Sequence, residues 1–171
     1  MRVSGRGVAI ERKPFIICMW LSVLALPLLL FLLRMAGEYL GFVTLAYVII
    51  YGPILVVAGL ILAGSAHAVP TELPPGRDLR WLCGTYGIWI VGNLVGVGVL
   101  SDTDGDAHYR SPLAGVVPHP WDSTVAGISI AVAWAGYLLT LALIARLVLG
   151  HRKNRAASAA APPTNGADKP R

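Results

Sequence analysis

Residues 81–100, "WLCGTYGIWIVGNLVGVGVL", decide the fold class of this chain. They form an unbroken run without Asp, Glu, Lys, Arg or His. A helix of about 20 residues crosses the roughly 30 Å hydrocarbon core of a bilayer. The run lacks the alternation of polar and apolar residues that a barrel strand needs, so its backbone must satisfy its own hydrogen bonds as a helix. The stretch therefore predicts a membrane-spanning helix.

Three further stretches have the same character, at residues 15–33, 41–64 and 124–150. The first is too long for a typical signal-peptide core of 7–15 residues, so we expect it to be retained as a span. The whole chain of 171 residues is 56% hydrophobic and only 13% charged, whereas a soluble domain carries about 25% charged residues. The sequence predicts an all-α polytopic membrane protein with four transmembrane helices in an antiparallel bundle.

The distribution of basic residues predicts the orientation of the bundle. Twelve of the 14 Lys and Arg lie in the leader at 1–14, in the loop after the second span, or at the end of span four and in the tail. Only Arg34 and Arg110 lie elsewhere. The positive-inside rule then places both termini in the cytoplasm. The Ala- and Pro-rich tail at 151–171 predicts disorder, and the composition favours the plasma membrane of a bacterium.

Small residues in spans three and four predict a helix–helix contact. Gly92 and Gly96 form a GxxxG pattern, which lets a second helix approach closely. Gly127, Ala131 and Ala135 are each four residues apart in span four and so share one stripe. We expect these two stripes to pack against each other, or to bind a second copy of the chain or another membrane protein.

Asn93 is a polar residue near the middle of span three. An amide in the hydrocarbon region seeks a partner, and an interhelical hydrogen bond there is worth about 0.6–2 kcal/mol. The candidate partners are Tyr47, Tyr51, Ser129 and Thr140. The sequence therefore predicts a buried structural hydrogen bond at Asn93.

Several kinds of chemistry lack the residues they need. No Asp, Glu, Lys or His lies in the middle of a span, which argues against ion-coupled transport. Cys18 and Cys83 form neither a CxxC pair nor a metal-binding spacing, so we expect both to pack. The motifs of serine hydrolases, zinc proteases and nucleotide-binding loops are absent. The sequence therefore predicts no catalytic residue, no cofactor and no nucleic-acid partner. It predicts that the chain lies mainly in the lipid bilayer.

The loop "SDTDGDAHYR" at residues 101–110 resembles the start of a calcium-binding loop. Asp102, Asp104 and Asp106 match the first three ligand positions of an EF-type loop. The glycine position holds Ala107, and the bidentate glutamate position holds Leu113. Asp and Gly also favour a solvated turn. We expect a solvated external loop, with the three aspartates as a weak candidate cation site.

Two function classes fit these observations best. The first is a non-enzymatic accessory or partner-binding subunit that acts through helix packing. The second is a small pore or facilitator for a neutral solute, lined by Tyr47, Tyr51, Thr85, Tyr86 and Asn93. A third class, an enzyme that uses acids of the 101–122 loop, has weaker support. The first two differ in whether the polar groups of the spans bind one another or line a continuous water-filled path.

Overall fold

The structure is a computed structural model that describes residues 12–35, 41–69, 77–100, 102–104, 107–109, 117 and 121–160. The predicted leader up to residue 11, the tail from residue 161 and Asp106 lie outside the described residues. Asp102 and Asp104 are described through their backbone. The candidate cation site therefore stays a prediction.

Four long helical stretches dominate the fold. The elements are α1 (Arg12–Met35), α2 (Phe42–Ala46), a π-helical turn (Tyr47–Tyr51), α3 (Gly52–His67), α4 (Arg77–Val99), β1 (Asp102–Asp104), β2 (Ala107–Tyr109) and α5 (Asp122–Ala160). The four stretches that are long and apolar enough to cross a membrane are Lys13–Met35, Phe42–His67, Asp78–Val99 and Asp122–Ser158. The prediction of an all-helical, multi-pass membrane fold is confirmed at this level.

Helix α5 is longer than the sequence predicted. It has 39 residues and continues to Ala160, whereas the sequence placed the start of a disordered tail at residue 151. Ala, Arg and Lys are strong helix formers, so the segment from His151 onward continues the helix beyond the apolar span. The boundary of the tail is corrected accordingly.

A π-helical turn interrupts the second span. It ends at Tyr51, immediately before Gly52 and Pro53. The N–H of Gly52 donates to the carbonyl of Tyr47, five residues earlier. Since Pro53 has no N–H to donate, the regular ladder is interrupted at this point. The wider turn supplies a partner for the carbonyl of Tyr47.

The buried core runs along one face of each span. On α1 its members recur every three or four residues, as a helical face requires: Phe15, Met19, Val23, Leu26 and Leu30. The opposite face of α1 is equally apolar, and Leu24 there is 69% exposed. Such an apolar exterior would be unstable in water but suits contact with lipid acyl chains.

The loop at 101–110 contains a short β-hairpin. Strands β1 and β2 pair antiparallel, with Thr103 opposite His108. The sequence indicated a turn here and gave no strand signal, because three residues per strand are too few to show alternation. The hairpin follows the end of α4 and packs near α2.

Candidate functional site

Helices α4 and α5 approach closely at the predicted GxxxG pair. A Cβ atom added to Gly92 would lie 2.8 Å from both the carbonyl oxygen of Ser129 and the Cβ of Ala133. A Cβ on Gly96 would lie 3.2 Å from the carbonyl oxygen of Ala126. Non-bonded carbon atoms normally sit about 3.5–4.0 Å apart. The two backbones are therefore in direct contact, and only glycine fits at these positions.

Helix α5 contributes a glycine of its own to this contact. A Cβ on Gly136 would lie 2.9 Å from the carbonyl oxygen of Thr85 and 3.1 Å from the amide nitrogen of Trp89. The sequence reasoning did not select Gly136, although it lies seven residues from Ser129, at helical spacing. The contact is thus reciprocal, with glycines on both helices.

The stripe predicted on α5 lies on another face. Gly127, Ala131 and Ala135 are exposed, and a Cβ on Gly127 meets nothing within 4 Å. The buried face of α5 is instead formed by Ala126, Ala133, Tyr137, Thr140 and Ile144. Helix α5 is apolar nearly all round, so its sequence gave no contrast between the inner face and the face toward lipid. The assignment of the α5 stripe is corrected accordingly.

Helices α1 and α3 form a second close pair. A Cβ on Gly59 would lie 3.2 Å from the Cα of Val23. Ala63 and Ala66 are fully buried on the same side of α3. The signal that could have found this contact is the small-xxx-small spacing of Gly59 and Ala63.

Asn93 is fully buried, and both the nitrogen and the oxygen of its side-chain amide are hydrogen-bonded. Its Nδ2 donates to the carbonyl of Trp89 at 2.7 Å. The hydroxyl of Tyr51 donates to its Oδ1 at 2.5 Å. Tyr51 is one of the four partners that the sequence named. The bond joins the π-helical turn to α4, so it links the second and third spans.

The other polar groups considered as pore-lining residues also bond within the bundle. Thr140 Oγ1 donates to Thr85 Oγ1 at 2.9 Å. The hydroxyl of Tyr47 donates to the carbonyl of Pro27 at 2.9 Å. The hydroxyls of Tyr86 and Ser22 share a hydrogen bond. Tyr47, Thr85 and Tyr86 are also buried, so these groups bind one another across helices.

Trp89 lies at the centre of an aromatic cluster. Its ring centroid is 5.7 Å from that of Tyr86 and 5.9 Å from that of Tyr137. Its side chain is 1% exposed, and its Nε1 has no hydrogen-bond partner within the part of the chain that the structure describes. Aromatic faces accept weak N–H···π contacts, which suits an indole placed between two tyrosine rings.

Arg34 is a buried cation at the end of α1. It is 3% exposed, and its Nε donates to Thr44 Oγ1 at 3.3 Å. Its guanidinium also donates to the carbonyls of Leu100 and Val97, the latter at 3.5 Å. These carbonyls belong to the C-terminal end of α4, which carries a partial negative charge. Arg34 therefore joins α1, α2 and α4.

The sequence alone distinguished Arg34 only as one of two cations that lie apart from the other twelve. No periodicity argument could have shown the burial of Arg34, since its carbonyl acceptors come from the end of a helix more than 60 residues away.

Cys18 and Cys83 flank the contact between α1 and α4. Cys18 lies one turn before Ser22 on α1, and Cys83 lies one turn before Tyr86 on α4, and Ser22 and Tyr86 are hydrogen-bonded. The ring of Tyr86 also packs edge-on against Phe15, with 6.0 Å between centroids. Each free thiol therefore lies one turn from this hydrogen-bonded pair, with Cys18 exposed and Cys83 half-buried.

A groove of about 550 Å³ opens on the outer surface between α4 and α5. Its apolar lining includes Gly84, Gly87, Ile88, Val91 and Val132. A Cβ on Gly84 or Gly87 would meet nothing within 4 Å. These glycines leave room for an apolar group from outside the chain.

The described residues offer few groups for chemistry. No group of three or more His, Cys, Asp and Glu that could hold a metal ion occurs among them. Their buried polar side chains carry hydroxyls, one amide, one guanidinium, the carboxyl of Asp122 at the start of α5 and the indole N–H of Trp89. The hydroxyls, the amide and the guanidinium suit helix association through hydrogen bonds. No protein-family model, curated protein or solved structure matches the chain.

Proposed function

We propose that this chain is a small integral membrane protein that acts without catalysis, as an accessory or partner-binding subunit. The pairing of the intramembrane polar groups with one another is the observation that carries this proposal. Tyr47, Tyr51, Thr85, Tyr86 and Asn93 each make a hydrogen bond within the bundle. A pore for a neutral solute would need these groups to face water along a continuous path. Their satisfaction within the bundle favours a packing role.

The groove between α4 and α5 is the surface we propose for a membrane-protein partner or a second copy of the chain. It lies beside the predicted glycine contact and is lined by residues of both helices. Glycines that face outward permit close backbone approach by another helix. Gly84 and Gly87 face open space and can take such a contact, whereas Gly92 already packs against α5.

We also propose an antiparallel bundle. Along α1 and α3, Pro27 contacts Tyr47 and Val23 contacts Gly59, so the order of contacts is reversed. The contacts of α4 with α5 reverse in the same way, from Thr85 with Thr140 to Gly92 with Ser129. Such a reversal supports antiparallel neighbours in both pairs.

Cytoplasmic termini in a bacterial plasma membrane complete the proposal. Exposed cations occur at the start of α1, at the start of α4 and at the end of α5: Lys13, Arg80, Arg146, Arg152, Lys153 and Arg155. Arg34, near the opposite ends of these helices, is buried. This asymmetry matches the positive-inside rule. Reporter fusions at either terminus test it, and an externally active terminal reporter would contradict it.

Photo-crosslinking in native membranes tests the partner-binding role. A photoreactive residue at Ile88 or Val132, on the groove, should give a discrete protein adduct. The same residue at Leu24, exposed on the outer face of α1, is the matched control. Adducts no stronger at the groove than at Leu24 would contradict the partner site. Movement of a neutral solute by the purified chain in liposomes, lost in a folded Asn93→Ala variant, would favour the pore instead.

A further inference from the structure

Helix α5 is too long to be contained in a bilayer. Its 39 residues span about 58 Å at 1.5 Å per residue, whereas the hydrocarbon core is about 30 Å thick. Roughly 20 residues from Val125 suffice to cross that core, which brings the helix to Ile144. Arg146 follows two residues later, so the segment 146–160 extends beyond the core as a continuation of the same helix.

The extension is a cationic surface. Arg146, Arg152, Lys153 and Arg155 are all exposed. Helix α5 contains no Asp or Glu after Asp122, so no acidic residue of the same helix neutralises these charges. Lys13 and Arg80, at the starts of α1 and α4, are exposed as well, beside the exposed acid Asp78. Among the described residues, cations therefore outnumber acids at this end of the bundle.

The depth of these cations matches the headgroup layer. Arg155 lies nine residues after Arg146, about 13 Å further along the axis. The headgroup region adds about 5–8 Å on each side of the core, and long Lys and Arg side chains reach back along the helix toward it. Arg152 and Lys153 lie about 12–14 Å beyond Ile144 along the axis, so their side chains contact the lipid phosphates by reaching back along the helix.

We propose that the extension of α5, residues 146–155, binds the phosphate headgroups of anionic lipids. Guanidinium groups bind phosphate oxygens through two parallel hydrogen bonds, and lysine adds a point charge. Because the extension continues the span without a break, it holds the cations at the membrane surface at all times. A lipid headgroup is therefore the phosphate source that they meet at the highest local concentration.

The test compares lipid binding by the intact chain and its variants in nanodiscs. The discs contain equal amounts of phosphatidylglycerol and phosphatidylcholine, and native mass spectrometry measures the ratio of the two lipids retained. The combined Arg152→Gln, Lys153→Gln and Arg155→Gln variant should lose the preference for phosphatidylglycerol, by up to about fivefold per cation. Salt above about 0.15 M should weaken the preference of the parent, because exposed charges are screened.

The matched control keeps the charge and changes the side chains, as Arg152→Lys, Lys153→Arg and Arg155→Lys. It should keep the preference. Equal melting temperatures of all forms in discs of phosphatidylcholine alone would show that the fold is retained. If the combined variant does not fold, Arg152→Gln and Arg155→Gln are measured as single variants. An unchanged lipid ratio in the folded Gln variants would overturn the proposal. So would displacement of the lipid by millimolar inorganic phosphate, or a loss of bound nucleic acid with no loss of lipid.

Discussion

Replacing Gly92 with alanine should destabilise the contact between α4 and α5. The new Cβ would lie 2.8 Å from the carbonyl oxygen of Ser129 and from the Cβ of Ala133. Ordinary contact begins near 3.5 Å, so the shortfall is about 0.7 Å at each atom. The contacting atom of Ser129 is its carbonyl oxygen, which belongs to the backbone of α5. It can move away from the new Cβ only if the two helices separate. Overpacking of this kind costs about 1–3 kcal/mol.

Gly84→Ala is the matched control for this change. Gly84 lies on the same helix, and its added Cβ meets nothing within 4 Å. Alanine is favoured over glycine within a helix by up to about 1 kcal/mol, so this variant should be neutral or slightly more stable. Gly96→Ala should also be destabilising, because its added Cβ would lie 2.6 Å from Cγ1 of Ile130, a β-branched side chain whose χ1 is restricted in a helix.

The assay is reversible unfolding in detergent or bicelles, followed by circular dichroism. A loss of 1–3 kcal/mol should lower the melting temperature by about 2–12 °C for a chain of this size. Gly136→Ala probes the same contact from α5 and should behave like Gly92→Ala. If Gly92→Ala and Gly84→Ala unfold at the same temperature, the close approach of the two helices is refuted.

Three further predictions concern single contacts. Asn93→Ala should lower the free energy of unfolding by about 0.6–2 kcal/mol, since it removes an interhelical hydrogen bond; an unchanged unfolding midpoint would contradict this. Arg34→Gln should cost about 1.5–3 kcal/mol, because charge-assisted bonds to the end of α4 are lost; equal stability of parent and variant would argue against the buried contact. Oxidation with copper phenanthroline should join Cys18 to Cys83 within one chain, since each lies one turn before a member of the hydrogen-bonded pair Ser22 and Tyr86; the bridge requires their Cα atoms to come within about 7 Å. Cys18→Ser is the control, and a gel without an intramolecular product in the parent would show that the thiols are too far apart.

The amino-acid sequence by itself determined the membrane fold and part of its interior. Each apolar stretch must form a helix, because lipid offers no partner for backbone groups. The same rule required a partner for the amide of Asn93, and Tyr51 is that partner. Gly92 and Gly96 were recognisable because a missing side chain on a span permits a close helix contact.

Only the tertiary structure decided which faces meet. Helix α5 is apolar toward both the core and the lipid, so nothing in its pattern separates the exposed Gly127 from the buried Ala126. The burial of Arg34 depends on carbonyls that α4 brings to it. The contact of Gly59 with Val23 depends likewise on how α3 packs against α1. In lipid the solvent is as apolar as the core, so hydrophobicity marks the spans, while packing and hydrogen bonds across helices select their faces.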